Sequence, residues 1–167
     1  MHRVYLFGSH ELFNIPDVIQ NHISEIIKQT NGDVEFIVGD SVGADMGFHQ
    51  VLSAAGARRI SKIYCVNEPR NNKFDLPIER FNILYNDKDK YASLTNSNNE
   101  VVGEEFNVDN LENFLRSPKF HEMISRKMCK DCTFAICYWE GTNKSSLKNI
   151  NRLKAQGKYV YVYTAQV

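Results

Sequence analysis

Neither charge is in surplus in this 167-residue sequence: lysine and arginine total 20, and aspartate and glutamate also total 20. Broad, sequence-blind binding to nucleic acid needs a basic face, so that class is not expected here, although a local basic pocket is compatible with the balance. Long apolar runs are missing too. The first one, Val4-Tyr5-Leu6-Phe7, falls far short of a membrane span, and the chain opens with no secretory or transit pattern. The expectation is a cytoplasmic protein without membrane attachment. Cysteine is sparse, at 4 residues (Cys65, Cys129, Cys132 and Cys137), all in or beside predicted core elements, which reads as free thiols in a reducing compartment. Cys129-Lys130-Asp131-Cys132 has redox spacing but ends a helix instead of starting one, so it reads as structural. The 5 histidines show no ligand spacing, and neither a metal nor a cofactor is expected. No internal repeat, P-loop or G-x-G-x-x-G fingerprint is present.

What is present is an alternation of short apolar runs and amphipathic stretches in a chain of single-domain length. Val4–Phe7 stops at Gly8-Ser9 as a buried strand does. A helix follows, with Asn14 as its cap, Pro16 in its first turn, and Ile15, Val18, Ile19, Ile23, Ile26 and Ile27 as its apolar stripe. Val34–Val38 is a second strand. The next helix carries Ala44, Phe48, Val51, Leu52 and Ala55, and Ile60–Val66 is a third strand. From Asn67 to about Ser117 the chain is polar and Asn-rich, expected as a loop or small subdomain with a hairpin and a short helix near Val108–Leu115. Ser117-Pro118 then starts a helix with Phe120, Met123, Ile124 and Met128, Thr133–Trp139 is a central strand, and Tyr159–Thr164 is the last one. The reading is an α/β fold over residues 1–167, with a mostly parallel sheet of about five strands and one inserted segment at approximately 73–116.

In such sheets ligands collect beyond the carboxyl ends of the strands. Three turns there have suitable composition: Gly8-Ser9-His10, Gly39-Asp40-Ser41-Val42-Gly43-Ala44-Asp45, and Gly141-Thr142-Asn143-Lys144-Ser145-Ser146. Glycines at 39 and 43 would let the backbone approach an anion at a helix N-terminus. Asp40 and Asp45 fit less well beside a phosphate. One of them is a helix cap on this reading, and Asp45 is alternatively an acceptor for ribose hydroxyls or base amines. Lys144 adds charge to the third turn, where Ser145 or Ser146 caps the helix. Arg70-Asn71-Asn72 lies within reach of the same sheet edge, and arginine suits bidentate phosphate contact. For catalysis, Glu140 and Asp45 are the carboxylates to nominate, with His10 as an acid, base or donor. Replacing Gly43 by valine is expected to remove binding and leave the fold largely intact.

In order and spacing these turns resemble the SLOG superfamily of Rossmann-like domains. That superfamily includes the LOG-type nucleoside-monophosphate phosphoribohydrolases, the DNA-processing-A-like proteins and many small bacterial and phage proteins; the last group is the nearest in its turns. The likeness covers roughly residues 3–72 and 118–164. It implies a Rossmann-like three-layer sandwich and a pocket for a nucleotide or nucleotide-derived small molecule. By analogy, since relatives pair through helices, it also suggests a homodimer. Two departures bear on activity. Ser145-Ser146 stands where relatives have Gly-Thr, and the Pro-Gly-Gly-x-Gly-Thr run and downstream catalytic glutamate of the hydrolases are missing, with Asn149 in that helix instead. Binding or sensing is therefore the leading expectation, and nucleoside-phosphate N-glycosidase or a related nucleotide hydrolase is the alternative.

Overall fold

The computed structural model describes residues 1–165. Its eight strands form one sheet in the order β6-β5-β4-β3-β2-β1-β7-β8. They are β1 (His2–Gly8), β2 (Val34–Val38), β3 (Ser61–Val66), β4 (Ile78–Asn86), β5 (Tyr91–Thr95), β6 (Val101–Asn107), β7 (Phe134–Trp139) and β8 (Val160–Thr164). The helices are α1 (Asp17–Gln29), α2 (Ala44–Ala54), α3 (Leu111–Leu115), α4 (Pro118–Asp131) and α5 (Lys144–Ala155). The five strands expected from apolar runs are β1, β2, β3, β7 and β8, all paired parallel. Their order, β3-β2-β1-β7-β8, is Rossmann-like, and the direction of winding reverses beside β1.

The count of about five strands is corrected by the inserted segment. β4 pairs parallel to β3, and β5 and β6 continue antiparallel, so the insert widens the same sheet. Its Asn-rich centre is the hairpin turn: the Asn96 side-chain oxygen accepts from the amides of Asn98 and Glu100, and Asn99 takes a positive φ of 60°. Phe81, Ala92 and Leu94 give the insert its own share of the core.

Two apolar layers flank the sheet. Val4 and Leu6 of β1 pack with Ile19 and Ile23 of α1 and Phe48 and Leu52 of α2; Tyr5 and Phe7 pack on the other face with Met123 and Met128 of α4 and Ile150 and Leu153 of α5. This alternation is why β1 reads as one unbroken apolar run: both of its faces are covered. Full burial of each such side chain is worth roughly 1.5–3 kcal/mol. Two local expectations are amended. The N-cap of α1 is Pro16 instead of Asn14, and Val18 is 56% exposed, off the buried stripe. Among the described residues no helix is long and apolar enough to cross a membrane.

Candidate functional site

Ser9 holds the three turns together. Its side chain is fully buried, its amide donates to the Tyr138 carbonyl (3.0 Å), and its carbonyl accepts from Ala44 N–H (3.1 Å). Its hydroxyl accepts from the Glu140 amide (3.2 Å). A two-residue turn after β1 therefore reaches the first turn of α2 and the loop before α5. Beside this knot a cavity of about 240 Å³ opens between the carboxyl ends of β1–β3 and helices α4 and α5. Of the residues nominated from sequence, Gly8, His10, Gly39, Asp40, Ser41, Asp45, Arg70, Ser145 and Ser146 line it. Ser9, Gly43, Asn71, Glu140, Gly141, Asn143 and Lys144 lie behind or beside the lining.

The glycines of the second turn serve the protein's own contacts. A Cβ on Gly39 would stand 2.5 Å from Asp45 Oδ2, so the anion this backbone admits is the carboxylate of Asp45. Gly43 combines φ +82° with a site where a Cβ would lie 2.1 Å from the His10 carbonyl oxygen. The expectation that Gly43→Val spares the fold is thereby corrected. Two amides of this turn are also already used, Ser41 N–H on Asp45 Oδ2 (3.1 Å) and Ala44 N–H on Ser9.

The two aspartates divide their work. Asp40 is buried and accepts from Arg70: its Oδ1 takes Nε (3.0 Å) and Nη2 (2.7 Å), and its Oδ2 takes the Arg70 amide (2.9 Å). Asn71 Nδ2 donates to the Asp40 carbonyl (2.8 Å). Arg70 thus neutralises a carboxylate, and its Nη1 faces His121 Nε2 at 3.4 Å. Asp45 Oδ2 takes the Ser41 hydroxyl (2.7 Å), and its Oδ1 has no hydrogen-bond donor among the described residues. Burial raises the Asp45 pKa above its ordinary range, and the Ser41 hydrogen bonds and nearby His49 only partly oppose this. His49, pushed below its usual pKa by burial, donates Nε2–H to the Gly39 carbonyl (2.8 Å) from beneath the turn.

At the third turn Glu140 is a staple. Its Oε1 accepts from the amides of Thr142 (2.9 Å) and Asn143, and Asn143 Oδ1 then caps α5 through Ser146 N–H (2.9 Å). Partial burial opposes ionisation of Glu140, but the nearby Ser9 hydroxyl and the hydrogen bonds from Thr142 and Asn143 outweigh it and bring its pKa down to about 2. A carboxylate so held contributes stability above its ordinary 4.5, and that contribution is lost as pH falls through about 2. Glu140→Ala is therefore expected to cost about 1 kcal/mol at neutral pH, as loss of a cap does, or roughly 2–4 °C in melting temperature. Thermal melts between neutral and acid pH should show the gap to wild type narrowing below pH 4.5.

The amides of Lys144 and Ser145, in the first turn of α5, donate to no described residue. Ser146 is 2% exposed, lines the cavity, and its hydroxyl has no partner among the described residues. A buried hydroxyl and two open amides at a helix N-terminus are donors of the kind that an anion takes up.

The far wall was not nominated from sequence. It comprises Phe120, His121, Glu122 and Ser125 of α4, Lys148, Asn149 and Arg152 of α5, and the strand aromatics Tyr5, Phe7 and Tyr64. Its charges are paired internally: Glu122 accepts from Lys148 (2.8 Å) and lies 3.7 Å from Arg152. Asn149 is buried, donates to the Tyr5 hydroxyl (3.3 Å) and accepts from Arg152 Nη1 (2.9 Å). The spacing 145-148-149-152 along one helical face was the available signal for this wall. The C-x-x-C pair plays no part: Cys129 and Cys132 are buried free thiols, with Cys132 pushed up to about 11 by burial. No cluster that could hold a metal ion exists among the described residues.

Comparison of the chain with protein-family models, curated proteins and solved structures yields no match. The class supported at this point is an α/β protein with a Rossmann-like, mostly parallel sheet and a cavity at its carboxyl edge.

Proposed function

We propose that this protein binds or senses a nucleotide or nucleotide-derived small molecule of mononucleotide size, carrying a single phosphate, in the cavity between β1–β3, α4 and α5. The observation that carries the reading is the seat at α5, where the unpartnered Ser146 hydroxyl and the open amide of Ser145 meet the cavity, with the open Lys144 amide beside them. The second turn offers the complementary chemistry. Asp45 Oδ1 is an acceptor for ribose hydroxyls or a base amine, and Phe120 and Tyr64 supply apolar surface for a base. Size and charge narrow the ligand. The volume of about 240 Å³ lies just below the usual range of roughly 300–1,000 Å³ for ligand sites, and the lining carries Asp40, Asp45 and Glu122 against Arg70, Lys148 and Arg152. A balanced lining suits one phosphate better than a polyphosphate chain. The resemblance to SLOG domains implies a pocket at this sheet edge, and Ser145-Ser146 is where the chain departs from their turn.

Binding without turnover is the better-supported form. Asn149 is uncharged and committed to the protein, and Glu140, whose Oε1 holds its own loop, does not line the cavity. The N-glycosidase reading rests on Asp45 alone, a cavity carboxylate whose raised pKa suits proton transfer. Titration calorimetry with nucleoside monophosphates, nucleosides and inorganic phosphate tests the reading, with analysis of the same mixtures for released base. Binding of monophosphates with no base released is expected; no heat with any of them contradicts the proposal.

Asp45 also gives a pH-dependent prediction. Its folded pKa lies above the ordinary 3.8, so its favourable contribution is present below that pH and is lost as pH rises through the folded value. At neutral pH, above the ordinary value, the buried carboxyl therefore costs stability. Asp45→Asn is therefore expected to raise the neutral-pH melting temperature by about 2–4 °C, roughly 1 kcal/mol, while ligand affinity falls. The gain should vanish in melts run below pH 3.8.

A further inference from the structure

The sheet ends at β8 on one side, and among the described residues nothing pairs with that edge. Charges, proline, a bulge or a covering segment usually protect an edge strand. β6, at the opposite end, carries Glu104 and Glu105 and pairs through a register shift between Ala92 and Leu94. Tyr159-Val160-Tyr161-Val162-Tyr163-Thr164 has none of these features, and Tyr159, Tyr161 and Val162 are 65%, 39% and 40% exposed.

The hydrogen-bonding direction of β8 follows from its ladder. Ala135 N–H donates to the Tyr159 carbonyl (3.0 Å) and Ala165 N–H to the Trp139 carbonyl (2.9 Å), so the odd-numbered residues address β7. The amides and carbonyls of Val160, Val162 and Thr164 consequently point away from the sheet. These three residues are symmetric about Val162. An antiparallel copy with its two-fold axis at Val162 pairs Val162 with itself and Val160 with Thr164, satisfying all three outward donors and acceptors of each strand. The same register sets Tyr161 opposite Tyr163 of the other copy. That tyrosine face already includes His22 of α1, edge-on to Tyr161 at 4.6 Å and hydrogen-bonded to the Tyr163 hydroxyl at 2.7 Å. Cross-strand aromatic pairs add roughly 0.2–1 kcal/mol each. No charge lies between Tyr159 and Thr164 to oppose self-pairing.

We infer that two copies of this chain pair β8 to β8 about Val162, joining their sheets into one continuous sheet with an isologous interface. The Tyr161–Tyr163 pair that this register creates on each side of the axis, with no charge to oppose it, is what selects a second copy of the strand over an unrelated segment.

Two variants test this by sedimentation of the full chain at micromolar concentration. Val162→Lys sets two ammonium groups against each other on the axis. Val162→Pro removes an outward N–H and leaves the β7 ladder intact, since that amide does not face β7. Wild type is expected at twice the 19.3 kDa chain mass. Both variants are expected at the single mass, with unchanged far-ultraviolet circular dichroism. A monomeric wild type, or a dimer that survives Val162→Pro in folded protein, overturns the inference.

Discussion

Gly43→Val is expected to lower the melting temperature by about 10 °C or more, whether or not any ligand is present. Two costs combine. At φ +82° and ψ −126° the backbone sits where side chains are rarely tolerated, worth roughly 1–3 kcal/mol. The new Cβ would also lie 2.1 Å from the His10 carbonyl oxygen, which belongs to backbone and has no rotamer to give. Overpacking of that kind adds about 1–3 kcal/mol. The total is a large part of the roughly 5–15 kcal/mol that holds a domain together, and each kcal/mol moves a chain of this size by about 2–4 °C. Circular dichroism melts of Gly43→Ala and Gly43→Val should show a graded loss, valine the worse. A Gly43→Val protein melting with wild type would mean that this turn does not pack on His10.

Arg70→Ala is expected to be the second most damaging change. It leaves the Asp40 carboxylate buried with one backbone amide where it had the guanidinium as well. Breaking a buried pair costs about 3–5 kcal/mol, and because the Arg70 side chain is 47% exposed the figure here is discounted to roughly 2–3 kcal/mol. Removing both partners, in Asp40→Ala with Arg70→Ala, should restore part of that loss. Denaturant unfolding of both single variants and the double variant gives the coupling directly. Equal losses for Arg70→Ala in the presence and absence of Asp40 would show that the pair is not formed in solution.

Much of this architecture was readable from periodicity. The strands covered on both faces announce themselves as Val4–Phe7, Val34–Val38 and Phe134–Trp139, since apolar residues fill nearly every position there, Glu35 excepted. β4–β6 were harder to see. Their outward-facing Glu79, Asn82, Glu104 and Glu105 interrupt the apolar pattern, and the Asn96–Asn99 turn makes the whole segment look like loop. At the site, the turns are visible because glycine and small polar residues cluster where strands hand over to helices. Their internal economy is not visible. That Gly39 makes room for Asp45, or that Asp40 neutralises Arg70, depends on contacts across 6 and 30 residues of chain. The α4–α5 wall was missed for a related reason: His121, Lys148 and Arg152 read as ordinary helix surface, and Phe120 as core, until the two helices are placed against the sheet. The effect on the functional reading is a shift of the phosphate seat from the second turn to the first turn of α5.

The most direct test of that seat is a crystal structure of the protein grown with a nucleoside monophosphate at saturating concentration. The expected result is the phosphate on the Lys144 and Ser145 amides within hydrogen-bond reach of the Ser146 hydroxyl, with the sugar or base turned toward Asp45. A cavity left empty under those conditions, or a phosphate bound away from α5, would contradict the account.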